Sequence, residues 1–322
     1  MYAVQMLLHS AIASVLIDCA FIAWDLRSPR VKQQFRFMAI FLPVVSFPMF
    51  QWLFPGRGDV YFRLGSLLDS NKWLFLEMWG GVPAFMVWLV IPAVTSFVFV
   101  LQELVPIVVS QLEQMRATGQ TFADEVDSTM IRKVAGAMEG LPFSENSVEI
   151  FDDEDLSLYS NTGFNPRIYV STGLIESFSS EHLQAAFAHE IGHIQRSRKP
   201  TLILAYIIRT VMFYNPVAMV EFRKLAQEEE KVCDDIAVAL TGNPEAVVEA
   251  LNMLRPEPEE YNPTSHRRSI KEIVSAFQQY SLDVILKSRV QRIGQRLGSE
   301  PHWGVPYFIT MGLIIGINYY VV

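Results

Sequence analysis

The chain has 322 residues, of which 51% are hydrophobic, and a formal net charge of −8 at pH 7. Its length leaves room for one soluble domain and a few membrane spans, and the bunching of its apolar residues indicates a protein embedded in the lipid bilayer. The acidic balance and the lack of a basic stripe with interleaved aromatic residues predict no nucleic-acid partner. Two cysteines, Cys19 and Cys233, offer no disulfide framework.

Three membrane helices are predicted within residues 1–105, where apolar runs approach the length that crosses about 30 Å of hydrocarbon. The predicted spans are 3–24, 37–54 and 80–102. The first lacks the basic start and the cleavage site of a signal peptide. Basic residues between the first two spans, among them Arg30 and Arg36, place that loop in the cytoplasm by the positive-inside rule.

Two ionisable residues, His9 and Asp18, lie in the first span. Such residues are functional by default inside a bilayer. For Asp18 we favour the alternative that it lies near the cytoplasmic end of its helix and reaches the polar headgroups.

Residues 106–302 are predicted to form the soluble domain. Apolar residues at helical spacing predict a helix over 124–140, and three short strands rich in β-branched and aromatic residues follow it. The predicted strands are 147–151, 156–160 and 167–171.

The next helix carries the pattern H-E-x-x-H in His189, Glu190 and His193. Residues four apart lie on one face of a helix, so both imidazoles can reach one metal ion, and Glu190 is placed to act as a general base. Two nitrogen ligands with an open position suit catalytic zinc, Zn²⁺. Gly192 weakens the helix, which indicates that another segment approaches closely there. Two surface histidines on an amphipathic helix are the alternative interpretation.

Catalytic zinc needs a third protein ligand, and the acidic run 227–235 offers one. Glu230 and Asp234 are four apart, which fits a carboxylate ligand with a second carboxylate behind it that bonds a ligating histidine. A solvated acidic face is the alternative. We interpret Cys233, which lies between them, as a small buried residue rather than a ligand.

The apolar segment 201–220 cannot cross the membrane if His193 and Glu230 bind one ion, because a single crossing would separate them by about 30 Å. We therefore predict a membrane-proximal helix over 201–220, which is buried, interfacial or re-entrant.

Residues 303–322 are predicted as a fourth, C-terminal membrane helix. The basic residues before it, including Arg289 and Arg292, are interpreted as its cytoplasmic anchor, and four spans place the metal helix in the cytoplasm. Gly312 and Gly316 form a GxxxG pattern, which predicts either a homodimer through this helix or close packing against the other spans.

Four separated blocks resemble the membrane-embedded gluzincins of the BlaR/MecR type, the antirepressor peptidases of β-lactam resistance. The blocks are 165–174, 187–193, Tyr214-Asn215-Pro216 and Glu230-x-x-Cys233-Asp234. HtpX-like and CAAX prenyl proteases share the zinc motif.

The resemblance implies an α+β zincin-like metalloprotease domain on the cytoplasmic side of a bacterial inner membrane. It implies His189, His193 and Glu230 as zinc ligands, Glu190 as general base and Asp234 behind the ligands. In zinc peptidases of this build, the strand before the metal helix commonly lines the cleft. The segment Ile168-Tyr169-Val170 is therefore a candidate edge strand for an extended protein or peptide substrate, and an ordinary core strand is an equally open alternative.

The predicted activity is zinc-dependent hydrolysis of peptide bonds in a cytoplasmic or membrane-proximal protein, a transcriptional repressor or the chain itself, in regulatory proteolysis. One alternative is membrane-protein quality control in the HtpX manner. Another is a non-catalytic zinc-domain signal transducer, which would have no need of Glu190. The short loop 55–79 leaves no room outside for a penicillin-binding domain, so direct sensing of β-lactams is not expected.

Overall fold

The computed structural model describes residues 2–69, 77–78, 82–101, 127–161, 165–197, 199–254, 283–293 and 303–321. The chain divides into two compact units. The helical unit comprises Met1–Thr118, Lys199–Glu229 and Leu297–Val322. The sheet unit comprises Gly119–Arg198 and Glu230–Arg296.

The helical unit begins with two long apolar helices, α1 (Tyr2–Ala23) and α2 (Pro29–Leu53). Among the described residues, these are the two helices that are long and apolar enough to cross a membrane. The second starts before the predicted span at 37, because Pro29 at its first position has a φ angle suited to a helix start. Pro43 and Pro48 lie within it.

The described part of the predicted third span, 80–102, holds one short strand and a helix. After α3 (Val60–Leu64), the strands β1 (Glu77–Met78) and β2 (Val82–Pro83) pair in antiparallel fashion, and α4 covers Ala84–Phe99. Its 16 residues extend about 24 Å, which is shorter than the roughly 30 Å of a hydrocarbon core. A third crossing therefore stays a prediction.

The sheet unit opens with α5 (Ser128–Met138), which Asp127 caps through a hydrogen bond from the backbone N–H of Thr129. Three strands follow: β3 (Val148–Phe151), β4 (Leu158–Asn161) and β5 (Arg167–Ser171). The three predicted strands agree with these bounds to within two residues. Two helices complete this half, α6 (Thr172–Ser177) and α7 (Ser180–Arg196).

The strand that was predicted to bind substrate is the central strand of this sheet. The order is β3-β5-β4, with β3 parallel and β4 antiparallel to β5. The edge-strand prediction for Ile168, Tyr169 and Val170 is therefore wrong, because both sides of β5 are already paired. Ile168 and Val170 are fully buried in the core beneath α7.

The apolar segment 201–220 forms parts of two helices, α8 (Pro200–Val211) and α9 (Pro216–Thr241), so the prediction of one helix over 201–220 is wrong. The side-chain oxygen of Asn215 accepts hydrogen bonds from the backbone N–H groups of Val217 and Ala218, which is an N-cap. Pro216 then occupies the first helical position, where its missing N–H costs nothing.

The remaining elements are α10 (Pro244–Met253), α11 (283–293) and α12 (Gly304–Tyr319). The last helix packs on α1 and α2 around Phe35 and Ile314. Its 16 residues are again shorter than a straight crossing requires. The described chain is thus mostly helical, with two candidate spans and a small mixed sheet, and a set of four spans stays a prediction.

The two ionisable residues of α1 pair with other parts of the helical unit. Nε2 of His9 lies 3.1 Å from the carbonyl oxygen of Val321. Asp18 accepts a hydrogen bond of 2.5 Å from Arg36 on α2 and lies 3.4 Å from Nζ of Lys224 on α9. Asp18 therefore pairs with basic residues of two other helices. These ion pairs were not part of the prediction that Asp18 reaches the headgroups.

Candidate metal centre

Both histidines of the H-E-x-x-H pattern lie on α7. Ser179 caps this helix by accepting a hydrogen bond from the backbone N–H of His182, and Leu183, Phe187 and Ile191 bury one face in the core. That burial fixes the rotation of the helix, so that His189 and His193 share the adjacent, half-buried face. Their Nε2 atoms lie 3.2 Å apart.

Glu230 on α9 faces the two imidazoles. One carboxylate oxygen lies 3.5 Å from Nε2 of His189, and the other lies 3.5 Å from Nε2 of His193. Tetrahedral ligands about 2.0–2.2 Å from one zinc ion lie roughly 3.3–3.6 Å from one another. Two imidazole nitrogens and a carboxylate at this spacing therefore fit a single zinc ion in chemistry and in separation.

The close approach of α9 to α7 depends on Gly192. A Cβ atom at this position would lie 3.3 Å from Cα and Cβ of Cys233, a spacing that leaves little tolerance in a packed interior. The prediction of a close approach at Gly192 is confirmed. So is the burial of Cys233, whose Sγ lies 3.5 Å from Nδ1 of His193.

Asp234 lies one turn after Glu230 on α9, and its side chain has no solvent exposure. Its Oδ1 lies 3.2 Å from Nδ1 of His189, which forms no aligned hydrogen bond among the described residues. A histidine that gives Nε2 to a metal carries its proton on Nδ1, and a carboxylate behind that nitrogen fixes the tautomer. The position of Asp234 fits this role.

Arg289 on α11 is the positively charged partner of Asp234 and Glu230. Its guanidinium donates two hydrogen bonds to Asp234, from Nε to Oδ2 at 2.9 Å and from Nη2 to Oδ1 at 2.6 Å. Its Nη1 also lies 3.3 Å from Oε2 of Glu230. From the sequence, Arg289 is similar to a basic residue near the site of HtpX-like proteases, but it was interpreted as a cytoplasmic anchor. The need of a buried aspartate for a positive partner is the signal that favours the site.

The electrostatics favour ionised carboxylates. Burial by itself would lower the pKa of His189, but Asp234 and Glu230 outweigh it and raise that pKa to about 9. Burial by itself would raise the pKa of Asp234, but Arg289 and His189 outweigh it and lower that pKa to about 2. The pKa of Glu230 is also lowered, because its histidine neighbours and Arg289 outweigh its burial. Both carboxylates are therefore charged at neutral pH, the form that attracts a cation.

Glu190 lies beside the histidines without blocking them. Ligand atoms of His189, Glu190 and His193 all lie within 4.8 Å of one another. Glu190 follows His189 directly on α7, whereas Glu230 reaches the site from α9. Both helices therefore contribute a carboxylate close to the histidine pair.

A helix with H-E-x-x-H beside a carboxylate-bearing helix, in a chain with two candidate membrane spans, is typical of membrane-associated metallopeptidases. The family model described as BlaR1 peptidase M56 matches residues 86–246, half of the chain, and the chain belongs to this family. The match includes α7 and the whole of α9 but ends before Arg289. A search of curated proteins finds no match to the chain.

Proposed function

We propose that the protein is a zinc metalloendopeptidase. The observation that carries this proposal is the convergence of His189, His193 and Glu230 from two helices at separations of 3.2–3.5 Å. These three side chains would hold the ion. Zinc bound there would lower the pKa of a water molecule toward about 7 and polarise the scissile carbonyl.

The general base in this proposal is Glu190. Its carboxylate accepts the proton of the attacking water and then passes it to the departing amine. Asp234 keeps the Nδ1 proton of His189 in place, so that Nε2 points toward the ion.

We propose that the substrate is a cytoplasmic or membrane-proximal protein and that its cleavage is regulatory, with a transcriptional repressor or the chain itself as target. Membership of the BlaR1 peptidase family and the two candidate spans support a membrane location. Basic residues in the first turns of the second candidate span, among them Arg30 and Arg36, support a cytoplasmic site in an inner membrane. The presence of Glu190 favours catalysis over a non-catalytic relay.

Substitution of Glu190 by Gln tests the proposal. The Glu190→Gln variant should keep its zinc, because the three proposed ligands remain, and lose cleavage by roughly 10²- to 10⁴-fold, because the general base is gone. Elemental analysis of the purified full chain measures the zinc, and comparison of protein N-termini in cells that make wild type or variant measures the cleavage.

The matched control is His193→Ala, which should lose zinc and cleavage together. N-termini that appear equally with wild type and with Glu190→Gln would show that the chain does not cut them. N-termini that depend on Glu190 would identify the substrate as well as the activity, including any site within the chain.

A further inference from the structure

Two arginines on α11 attach this helix to α9, and they do so in different ways. Arg292 donates to Oδ1 of Asp235 and to the backbone carbonyl of Lys231, both at 2.7 Å. Neither acceptor belongs to the proposed ligands or to the carboxylate behind them. Arg289 instead places all three guanidinium nitrogens against Asp234 and Glu230, the carboxylates that α9 contributes to the metal centre.

We propose that Arg289 is a positioning residue of the metal centre, in addition to being an anchor for α11. Its two parallel hydrogen bonds hold both carboxylate oxygens of Asp234 in the plane of the guanidinium, because the two groups match only in that geometry. Held in this way, the carboxylate of Asp234 places its Oδ1 at 3.2 Å from Nδ1 of His189. The third nitrogen holds Oε2 of Glu230, the oxygen that faces His189.

A positive charge this close to a cation site also has a cost. Arg289 repels a zinc ion and competes with it for Glu230, so removal of its charge alone would strengthen zinc binding. Loss of its geometry would weaken binding, because partners that orient metal ligands typically contribute 10- to 100-fold in affinity. The fork is bidentate and Asp234 has no solvent exposure, so we expect geometry to outweigh charge.

This inference rests on the proposed function only in taking zinc as the ion. The experiment uses the purified full chain in detergent with zinc alone, and it measures affinity by competition with a chelator of known zinc affinity. Arg289→Lys keeps the charge without the fork, and Arg289→Ala removes both. Arg292→Ala is the matched control, because it breaks the other attachment of α11 and touches neither carboxylate of the site.

Zinc affinity should fall by about 10- to 100-fold in Arg289→Lys and in Arg289→Ala. It should stay within about twofold of wild type in Arg292→Ala, whose thermal unfolding temperature should still drop through loss of its two part-buried hydrogen bonds. Visible absorption of the cobalt-substituted protein should change in the Arg289 variants alone, since it reports ligand geometry.

Tighter or unchanged zinc binding in Arg289→Ala would overturn the inference, as would full wild-type affinity in Arg289→Lys. An equal loss in Arg292→Ala would reduce Arg289 to a structural anchor. If Arg289→Ala fails to fold, the zinc affinity of Arg289→Lys tests the inference instead. Wild-type protein that binds no zinc would instead refute the proposed function, so the two failures are distinguishable.

Discussion

In the metal centre, a neighbour of opposite charge explains how a charged side chain such as Asp234 can be buried. Asp234 is fully buried, and a buried carboxylate without a partner would cost several kcal/mol. It has Arg289 on one side and His189 on the other. Because each charge satisfies the next, the site can be assembled before any metal binds.

The raised pKa of His189 makes the stability of the metal-free protein depend on pH. A pKa of about 9 in the folded chain exceeds the ordinary value of 6.5, so the fold favours the protonated ring. That contribution is complete below about pH 6.5 and is lost as the pH rises through about 9. We expect the thermal unfolding temperature of chelator-treated protein to fall across this window.

Thermal scans between pH 6 and 10 measure this effect, and His189→Asn is its control, because the variant lacks the titrating ring and should lose the slope. Equal slopes in both proteins would assign the pH dependence to other groups.

At the scale of helices, the contact between α7 and α9 positions the third proposed ligand. Gly192→Ala should gain up to about 1 kcal/mol of helix propensity, yet its new Cβ would lie only 3.3 Å from the backbone of Cys233. We expect no net stabilisation and a weaker zinc affinity, because α9 must shift.

The control is Gly136→Ala on α5, where a new Cβ has no described atom within 4 Å. It should stabilise the chain by about the propensity difference and leave zinc binding unchanged. Chelator competition and thermal unfolding measure both variants. A stabilised Gly192→Ala with normal zinc affinity would contradict the view that this contact is tight.

The helical unit has its own buried network, in which Glu221 on α9 is the centre. It accepts hydrogen bonds from Ser14 at 2.7 Å, Arg36 at 2.8 Å and Lys224 at 2.9 Å. Glu221→Ala would leave Arg36 with Asp18 as its remaining ionic partner, so we expect a loss below the about 3–5 kcal/mol of a buried pair that is broken completely. Unfolding by denaturant in micelles measures the loss.

Asp25→Ala provides the comparison, because Asp25 and Arg27 form an exposed pair. Solvent screens an exposed pair, so its loss should have little effect on stability. If the two substitutions cost the same, the network around Glu221 is not a determinant of stability.

For the molecule as a whole, self-association through α12 is a further prediction. The buried residues of this helix recur every four positions, and they are Pro306, Thr310, Ile314 and Asn318. Gly312 and Gly316 lie off that stripe, and a Cβ built on either meets no described atom within 4 Å. No described residue covers this small-residue surface, and we expect a second copy to pack there.

The double variant Gly312→Ile, Gly316→Ile should therefore reduce the dimer fraction, because bulky side chains keep two helices apart. Chemical cross-linking in membranes measures it, with Leu313→Ile as a control that keeps its bulk. A dimer fraction unchanged by the double variant would remove α12 from the interface.

Much of the local structure follows from the sequence, because its causes are local. The cap at Ser179, the apolar spacing of Leu183 and Phe187 and the four-residue step from His189 to His193 all lie within one helix. The break of the segment 201–220 was equally local, since Asn215-Pro216 is a strong start signal that the hydrophobicity of the segment concealed.

The sequence by itself determined the metal motif, the two long apolar helices and the three strands, because hydrophobic periodicity and capping act over a few residues. Only the tertiary structure decided that β5 is central rather than an edge, and that Arg289 pairs with Asp234, 55 positions away. Strand order and ion pairing between distant segments depend on how whole elements pack, and spacing along the chain does not record that.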